Sequence, residues 1–89
     1  MYYVYVLRSK IDHNLYIGFS ENLKQRVLDH NAGKNISTQL RKPLDLIFYE
    51  AFSNKFDALR RERYLKTNKG KTMLKQLLRE DLKDQNRKF

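Results

Sequence analysis

Eighty-nine residues of 10.8 kDa suit one compact domain, and a 40% apolar content with five Phe and six Tyr can furnish its core and argues against disorder. The absence of cysteine excludes disulfide frameworks, thiolate zinc sites and cysteine nucleophiles, and no apolar run reaches the roughly 18–20 residues of a membrane span. Nineteen Lys and Arg against ten Asp and Glu leave a net charge of +9, most of it in residues 55–89, where twelve basic side chains face five acidic ones. A surplus of this size favours a polyanionic partner, because each neutralised phosphate releases counterions.

Tyr2 to Leu7 is apolar on both alternating faces, as in a central strand covered on both sides. Met1 to Leu7 lacks a basic leader and a small-residue cleavage site, so a cytoplasmic chain with no membrane partner is expected. Residues 10–14 form a polar turn, and Leu15-Tyr16-Ile17 resumes a strand that stops at Gly18, which suggests an antiparallel hairpin. Ser20 is a candidate N-cap for a helix running to about Asn31, with Glu21 in its first turn and Gly33 as its stop. Residues 34–43 read as a basic loop closed by Pro43, followed by a third strand from Leu44 to Phe52. Ser53 is placed as the cap of a second helix through about Thr67, Asn68-Lys69-Gly70 as a break, and 71–82 as a third helix with Met73, Leu74, Leu77, Leu78 and Asp81 near one face. The class is α+β, in the order β-β-α-β-α-α, with a single domain over 1–82 and a charged, frayed tail over 83–89.

Three sets of residues fit poorly with a plain core. At about 100° per residue, Glu62 falls in the apolar arc of the second helix, among Ala58, Leu59 and Leu65. An unpaired carboxylate there would cost several kcal/mol. It calls for a salt bridge to an arginine across the core, a rolled helix, a metal, or a cleft in which it serves as an acid. Arg26 and His30, four apart, share one edge of the first helix. They suit a phosphate site, with a bidentate guanidinium and a proton-carrying imidazole, or else a snorkelling arginine and a C-terminal cap. Tyr5 and Tyr16 come side by side if the hairpin turns near residue 12, as amphipathic packing or as part of a site, and Gly18 would let backbone and ligand approach closely.

Together these residues resemble the GIY-YIG nuclease family, and most closely its small stand-alone bacterial members, which are similar to the N-terminal nuclease domain of the DNA-repair excinuclease. Tyr3-Val4-Tyr5 stands as a degenerate first signature, Tyr16-Ile17-Gly18 as an intact second one, Arg26 follows Tyr16 by ten residues, and Ala58-Leu59-Arg60-Arg61-Glu62 with Leu65-Lys66 resembles the glutamate helix. His30-Asn31-Ala32-Gly33 and the segment from Pro43 to Glu50 also resemble these members, so the likeness covers about residues 1–70. Phe19 stands where many members carry a lysine, and Leu74 where some carry an asparagine, with Asn68 a loose substitute.

The resemblance implies a three-stranded antiparallel sheet flanked by helices and a phosphodiesterase using one divalent ion. Glu62 would hold Mg²⁺ or Mn²⁺, Arg26 would stabilise charge on the phosphate, and Tyr5 or Tyr16 would position or deprotonate the attacking water, with His30 as an alternative base. The expected substrate is DNA, with RNA a second option, recognised by structure or backbone rather than by base. Grip would come from Lys34, Arg41, Lys42, Arg60, Arg61, Lys66, Lys69 and Lys71. Cutting both strands of a duplex would call for a dimer or a protein partner. A role in DNA repair or recombination fits such a nuclease, and a non-catalytic nucleic-acid-binding module with a decayed site is the alternative.

Overall fold

Successive side chains of a strand point to opposite faces, so the run Val4-Tyr5-Val6-Leu7 needs cover on both. It obtains that cover as the middle strand of a three-stranded antiparallel sheet with helices on each face. This is the arrangement in the computed structural model, which describes residues 1–83. The strands are β1 (Tyr2–Ser9), β2 (Leu15–Ser20) and β3 (Leu44–Phe52), in the spatial order β2-β1-β3. The helices are α1 (Leu23–Asn31), α2 (Lys55–Leu65), α3 (Asn68–Leu77) and a short α4 (Arg79–Lys83). No helix among the described residues is long and apolar enough to cross a membrane. The expected 83–89 tail lies, from residue 84 onward, outside the described residues.

The two faces bury different residues. Tyr5, Leu7 and Leu44 pack with Tyr16 and with Leu23 and Val27 of α1. Val4, Val6 and Ile17 pack with Ala58 and Leu65 of α2 and Leu74 of α3. The β1–β3 register shifts between Val6 and Leu7: Val6 pairs with Phe48, but Leu7 pairs with Leu46. One extra residue reverses the alternation. That is why Leu44 can share a core with Tyr5 while Ile47 and Phe48 both pack on the opposite side. Leu74 is 1% exposed and fills that second core. Phe19 stacks on Tyr2 with ring centroids 6.3 Å apart.

Helix boundaries differ from the expectation in a consistent way. Asn22 rather than Ser20 caps α1, and Asn54 rather than Ser53 caps α2, each side-chain oxygen accepting from backbone N–H groups of the first turn. Ser20 instead belongs to β2, where its hydroxyl accepts from the Asn22 N–H at 3.0 Å, and Glu21 precedes the helix rather than lying in its first turn. Asn68-Lys69-Gly70 is not a break but the first turn of α3, capped by Thr67, whose Oγ1 accepts from the Gly70 N–H at 3.0 Å. The expected third helix, 71–82, is divided at Leu78 between α3 and α4. The Arg8 guanidinium holds α4 to β1, reaching the Asp81 carbonyl at 3.3 Å and its carboxylate at 3.5 Å.

Gly70 explains how a helix starts where the composition indicates a stop. A Cβ at this buried position would overlap the backbone carbonyl of Tyr64, so only glycine lets α3 turn this tightly against the end of α2. Gly70→Ala should therefore destabilise the protein by about 1–3 kcal/mol through overpacking, the opposite sign to the gain of roughly 1 kcal/mol at an exposed helical glycine. The urea midpoint of the variant should fall below that of the wild type.

Candidate active site

Tyr5 projects from the α1 face of β1 opposite Gly18 of β2. A Cβ at Gly18 would collide with the Tyr5 ring. The glycine's open side thus houses a tyrosine, where the sequence suggested an approaching ligand. With the ring so placed, the fully buried Tyr5 hydroxyl lies 2.9 Å from Nε2 of His30, and Nδ1 of His30 lies 2.7 Å from the hydroxyl of Thr38. His30 and Thr38 are both completely buried. The half-buried Tyr16 ring meets His30 edge-on at 4.9 Å between centroids, and Tyr5 lies 6.3 Å from Tyr16.

Thr38 reaches this point because the 34–43 loop is tied down at several places. The Ser9 hydroxyl donates to the Arg41 carbonyl at 2.6 Å, and the Lys10 N–H donates to the Pro43 carbonyl at 2.9 Å. The Asn31 side chain accepts from the Leu44 N–H at 2.7 Å and donates to the Leu44 carbonyl at 3.0 Å, joining the end of α1 to the start of β3. Thr38 and Ser9 were not singled out by the sequence reading, and Asn31 entered it only as the helix end and within His30-Asn31-Ala32-Gly33. Thr38 lies in a polar loop without periodicity, so nothing local marks it as buried.

Arg26 lies one turn before His30 on α1, and its charge acts on both Tyr5 and His30. Glu62 of α2, the helix packed on the opposite face, adds the smallest of the charge effects on Tyr5. Glu62 is neither bridged to an arginine across the core nor rolled fully outward: its side chain is 20% exposed and takes an ion pair from Lys66 Nζ at 3.0 Å. Hydrogen bonds and ring contacts bring together Tyr5, Tyr16 and His30 from three elements, with Arg26 and Glu62 acting on them through charge.

Protonation follows from burial. The Tyr5 phenol is pushed up to about 12, first by burial and next by Tyr16, with Glu62 adding and Arg26 opposing. It keeps its proton at neutral pH. A neutral imidazole carries one hydrogen, so of its two bonds to the Tyr5 and Thr38 hydroxyls one is donated and one accepted. The pKa of His30 is lowered from its ordinary value, first by burial and then by the Arg26 charge, against an opposing contribution from Asp29. Both nitrogens of this histidine are thereby engaged within the protein.

Most cations expected to grip substrate have carboxylate partners. Lys34 pairs with Asp29 at 3.7 Å, Arg41 with Asp12 at 3.2 Å and Arg60 with Asp57 at 2.9 Å. Arg61 makes a two-pronged contact with Glu50 at 2.8 and 3.2 Å. Lys42, Lys69 and Lys71 make no ion pair among the described residues. No three His, Cys, Asp or Glu side chains converge among the described residues. One carboxylate fits Mg²⁺ or Mn²⁺, which keep several waters and complete their shell with substrate phosphate, and the exposed Lys66 partner is readily displaced.

Residues 1–76 match the family model of the GIY-YIG catalytic domain. The chain is 40% identical over 77 residues to a UPF0213 protein of Staphylococcus haemolyticus, spanning 85% of this chain and 93% of that relative. It is 37% identical over 87 residues to a UPF0213 protein of Clostridium perfringens, spanning 97% and 92%. The solution NMR structure of a UPF0213 protein from Bacillus halodurans superposes with a TM-score of 0.55 at 33% identity, over 86% of this chain and 85% of the other.

The buried histidine has a measurable consequence. Unfolded, His30 takes up a proton near its ordinary value of about 6.5; folded, it does so only at lower pH. Below about pH 6.5 the unfolded chain therefore binds more protons, so this contribution to stability is full above that pH and is lost as pH falls through the window. The urea midpoint should drop between about pH 7.5 and 5.5, and His30→Gln, although less stable overall, should flatten that drop.

Proposed function

The chain belongs to the GIY-YIG domain family, and on that premise we propose that it is a divalent-metal-dependent endonuclease hydrolysing phosphodiester bonds in DNA. The observation that carries this reading is the convergence of Tyr5, Tyr16, Arg26 and His30 on one face of the sheet, within electrostatic reach of Glu62. A site kept only for packing would not need a guanidinium and a carboxylate beside two tyrosines.

Roles follow from accessibility. Tyr5 is buried with its hydroxyl committed to His30, and His30 has no free nitrogen, so neither meets an incoming water. Tyr16 is half-buried, and its hydroxyl has no hydrogen bond among the described residues, so it is the residue that contacts and orients the nucleophile. Tyr5, His30 and Thr38 form the rigid backing that fixes the Tyr16 ring, which makes His30 a positioning residue. Arg26 stabilises the negative charge growing on the phosphate in the transition state. Glu62 would hold Mg²⁺ or Mn²⁺, which when bound supplies Lewis-acid stabilisation of the phosphate and lowers the pKa of a bound water. With the loop and helix cations largely engaged in ion pairs, recognition is directed by nucleic-acid structure and backbone rather than by bases, as suits a role in repair or recombination.

The test is cleavage of end-labelled single-stranded, duplex, flapped and branched DNA, and of RNA, with Mg²⁺, Mn²⁺ or EDTA. Glu62→Ala should abolish metal-dependent cutting while leaving DNA affinity within a few-fold, and full activity in this variant would overturn the metal role. Arg26→Ala should slow cleavage by at least about 10²-fold, the scale of one lost transition-state donor. His30→Ala should lower the rate without removing a limb of the pH profile near 6–7, whereas loss of that limb would make it the base. No cutting of any substrate, with salt-sensitive DNA binding intact, would assign the chain as a binding module.

A further inference from the structure

On the face of the sheet opposite Tyr5, Lys71, Lys75, Arg79 and Lys83 recur every fourth residue along α3 and α4, and all four line one groove of about 710 Å³. Its other wall is the hairpin end and β2, from His13 to Ile17. Neither wall contributes an aspartate or glutamate. Glu80 touches Arg79 at 3.9 Å and Lys83 at 3.4 Å, but these pairs are exposed and contribute little. Lys71 and Lys75 make no ion pair among the described residues. Like charges four apart on a helix repel, and for Lys71 and Lys75 no carboxylate among the described residues offsets them. Instead the Arg8–Asp81 contact pins α4 to β1 and holds the far end of the row in place.

We propose that this groove is a track for the phosphate backbone of a DNA strand, a second binding surface that delivers substrate to the active site. The inference rests on the nuclease reading and extends it. Lys71 to Lys75 in α3 and Arg79 to Lys83 in α4 each advance by about 6 Å, and the row continues across the junction at Leu78, which suits a linear polyanion better than a single small anion. The floor is aliphatic (Leu15, Ile17, Leu74 and Leu82), without an aromatic platform for stacked bases, so contact is with backbone and independent of sequence. Two of those apolar side chains, Ile17 and Leu74, are buried, whereas insertion into a bilayer would need them to project. Tyr16 lies between Leu15 and Ile17 on β2 and faces the active site, so a strand passing over the free edge of β2 meets both surfaces.

The experiment measures binding of labelled single-stranded and duplex DNA in EDTA across a salt series, so that cleavage plays no part. The double variant Lys75→Ala, Arg79→Ala alters exposed side chains only and should keep the wild-type melting temperature. Its affinity at low salt should fall, and the slope of log affinity against log salt should become shallower by about two. Lys10→Ala with Lys24→Ala, which removes the same charge outside the groove, should change the slope by less than about one. A steep wild-type slope that the groove variant reproduces overturns the track and leaves the nuclease reading standing. A shallower slope in the variant, with no cleavage by the wild type on any substrate, supports the track and removes the nuclease. Loss of binding to phosphatidylserine vesicles with DNA binding unchanged overturns the proposal in favour of a membrane surface.

Discussion

A histidine buried with both ring nitrogens satisfied is the constraint on which the rest of this structure turns. An imidazole taken out of water must keep its hydrogen bonds or lose about 1–3 kcal/mol for each one left unmade. His30 keeps them only if a hydroxyl stands on either side. On one side this places the Tyr5 ring flat against β2, which in turn demands a residue without Cβ at position 18. On the other it draws Thr38 inward, and a ten-residue basic loop cannot hold a threonine there by itself. Ser9 and Asn31 supply the anchorage, so the hairpin turn, the loop and the start of β3 are all arranged around one ring.

What could be read in advance follows the range of the physics involved. β1 was legible because a run of apolar residues on both faces permits little but a central strand, and the order of elements followed from it. The α1 pair, Arg26 and His30, was legible because residues four apart share an edge whatever the tertiary context. The caps were misplaced because side chains able to cap lie close together: Ser20 and Asn22 are two positions apart, and only the end of the strand decides between them. Asn68-Lys69-Gly70 misled for a different reason. Glycine in a first turn looks like a break until one sees the Tyr64 carbonyl occupying the place of its side chain. Thr38 was illegible, since its burial depends on contacts far away in sequence.

Glu62 illustrates how the wheel arithmetic can be correct and its consequence still open. The carboxylate does sit beside the apolar arc, but at the rim of the core, where one-fifth exposure and a lysine one turn on make it tolerable. A lysine is a weak and mobile partner, so this carboxylate is stable in the folded protein and remains available for exchange. The same contrast runs through the charge distribution. Around α1, the loop and α2, carboxylates offset Lys34, Arg41, Arg60 and Arg61, while Lys69, Lys71 and Lys75 of α3 make no ion pair among the described residues.

The anchorage of the 34–43 loop also bears on how the molecule fluctuates. Surface loops usually open at little free-energy cost, independently of the core that carries them. Here, release of the loop would unseat Asn31 from Leu44 and expose Ser9, His30 and Thr38 at once, so its opening draws on the same interactions that hold α1 to the sheet. Amide protons at Thr38 and Arg41, both bonded within this loop, would then exchange with solvent nearly as slowly as those of β1. A segment that reads as a linker in sequence is tied to the sheet through Thr38, Arg41 and Pro43.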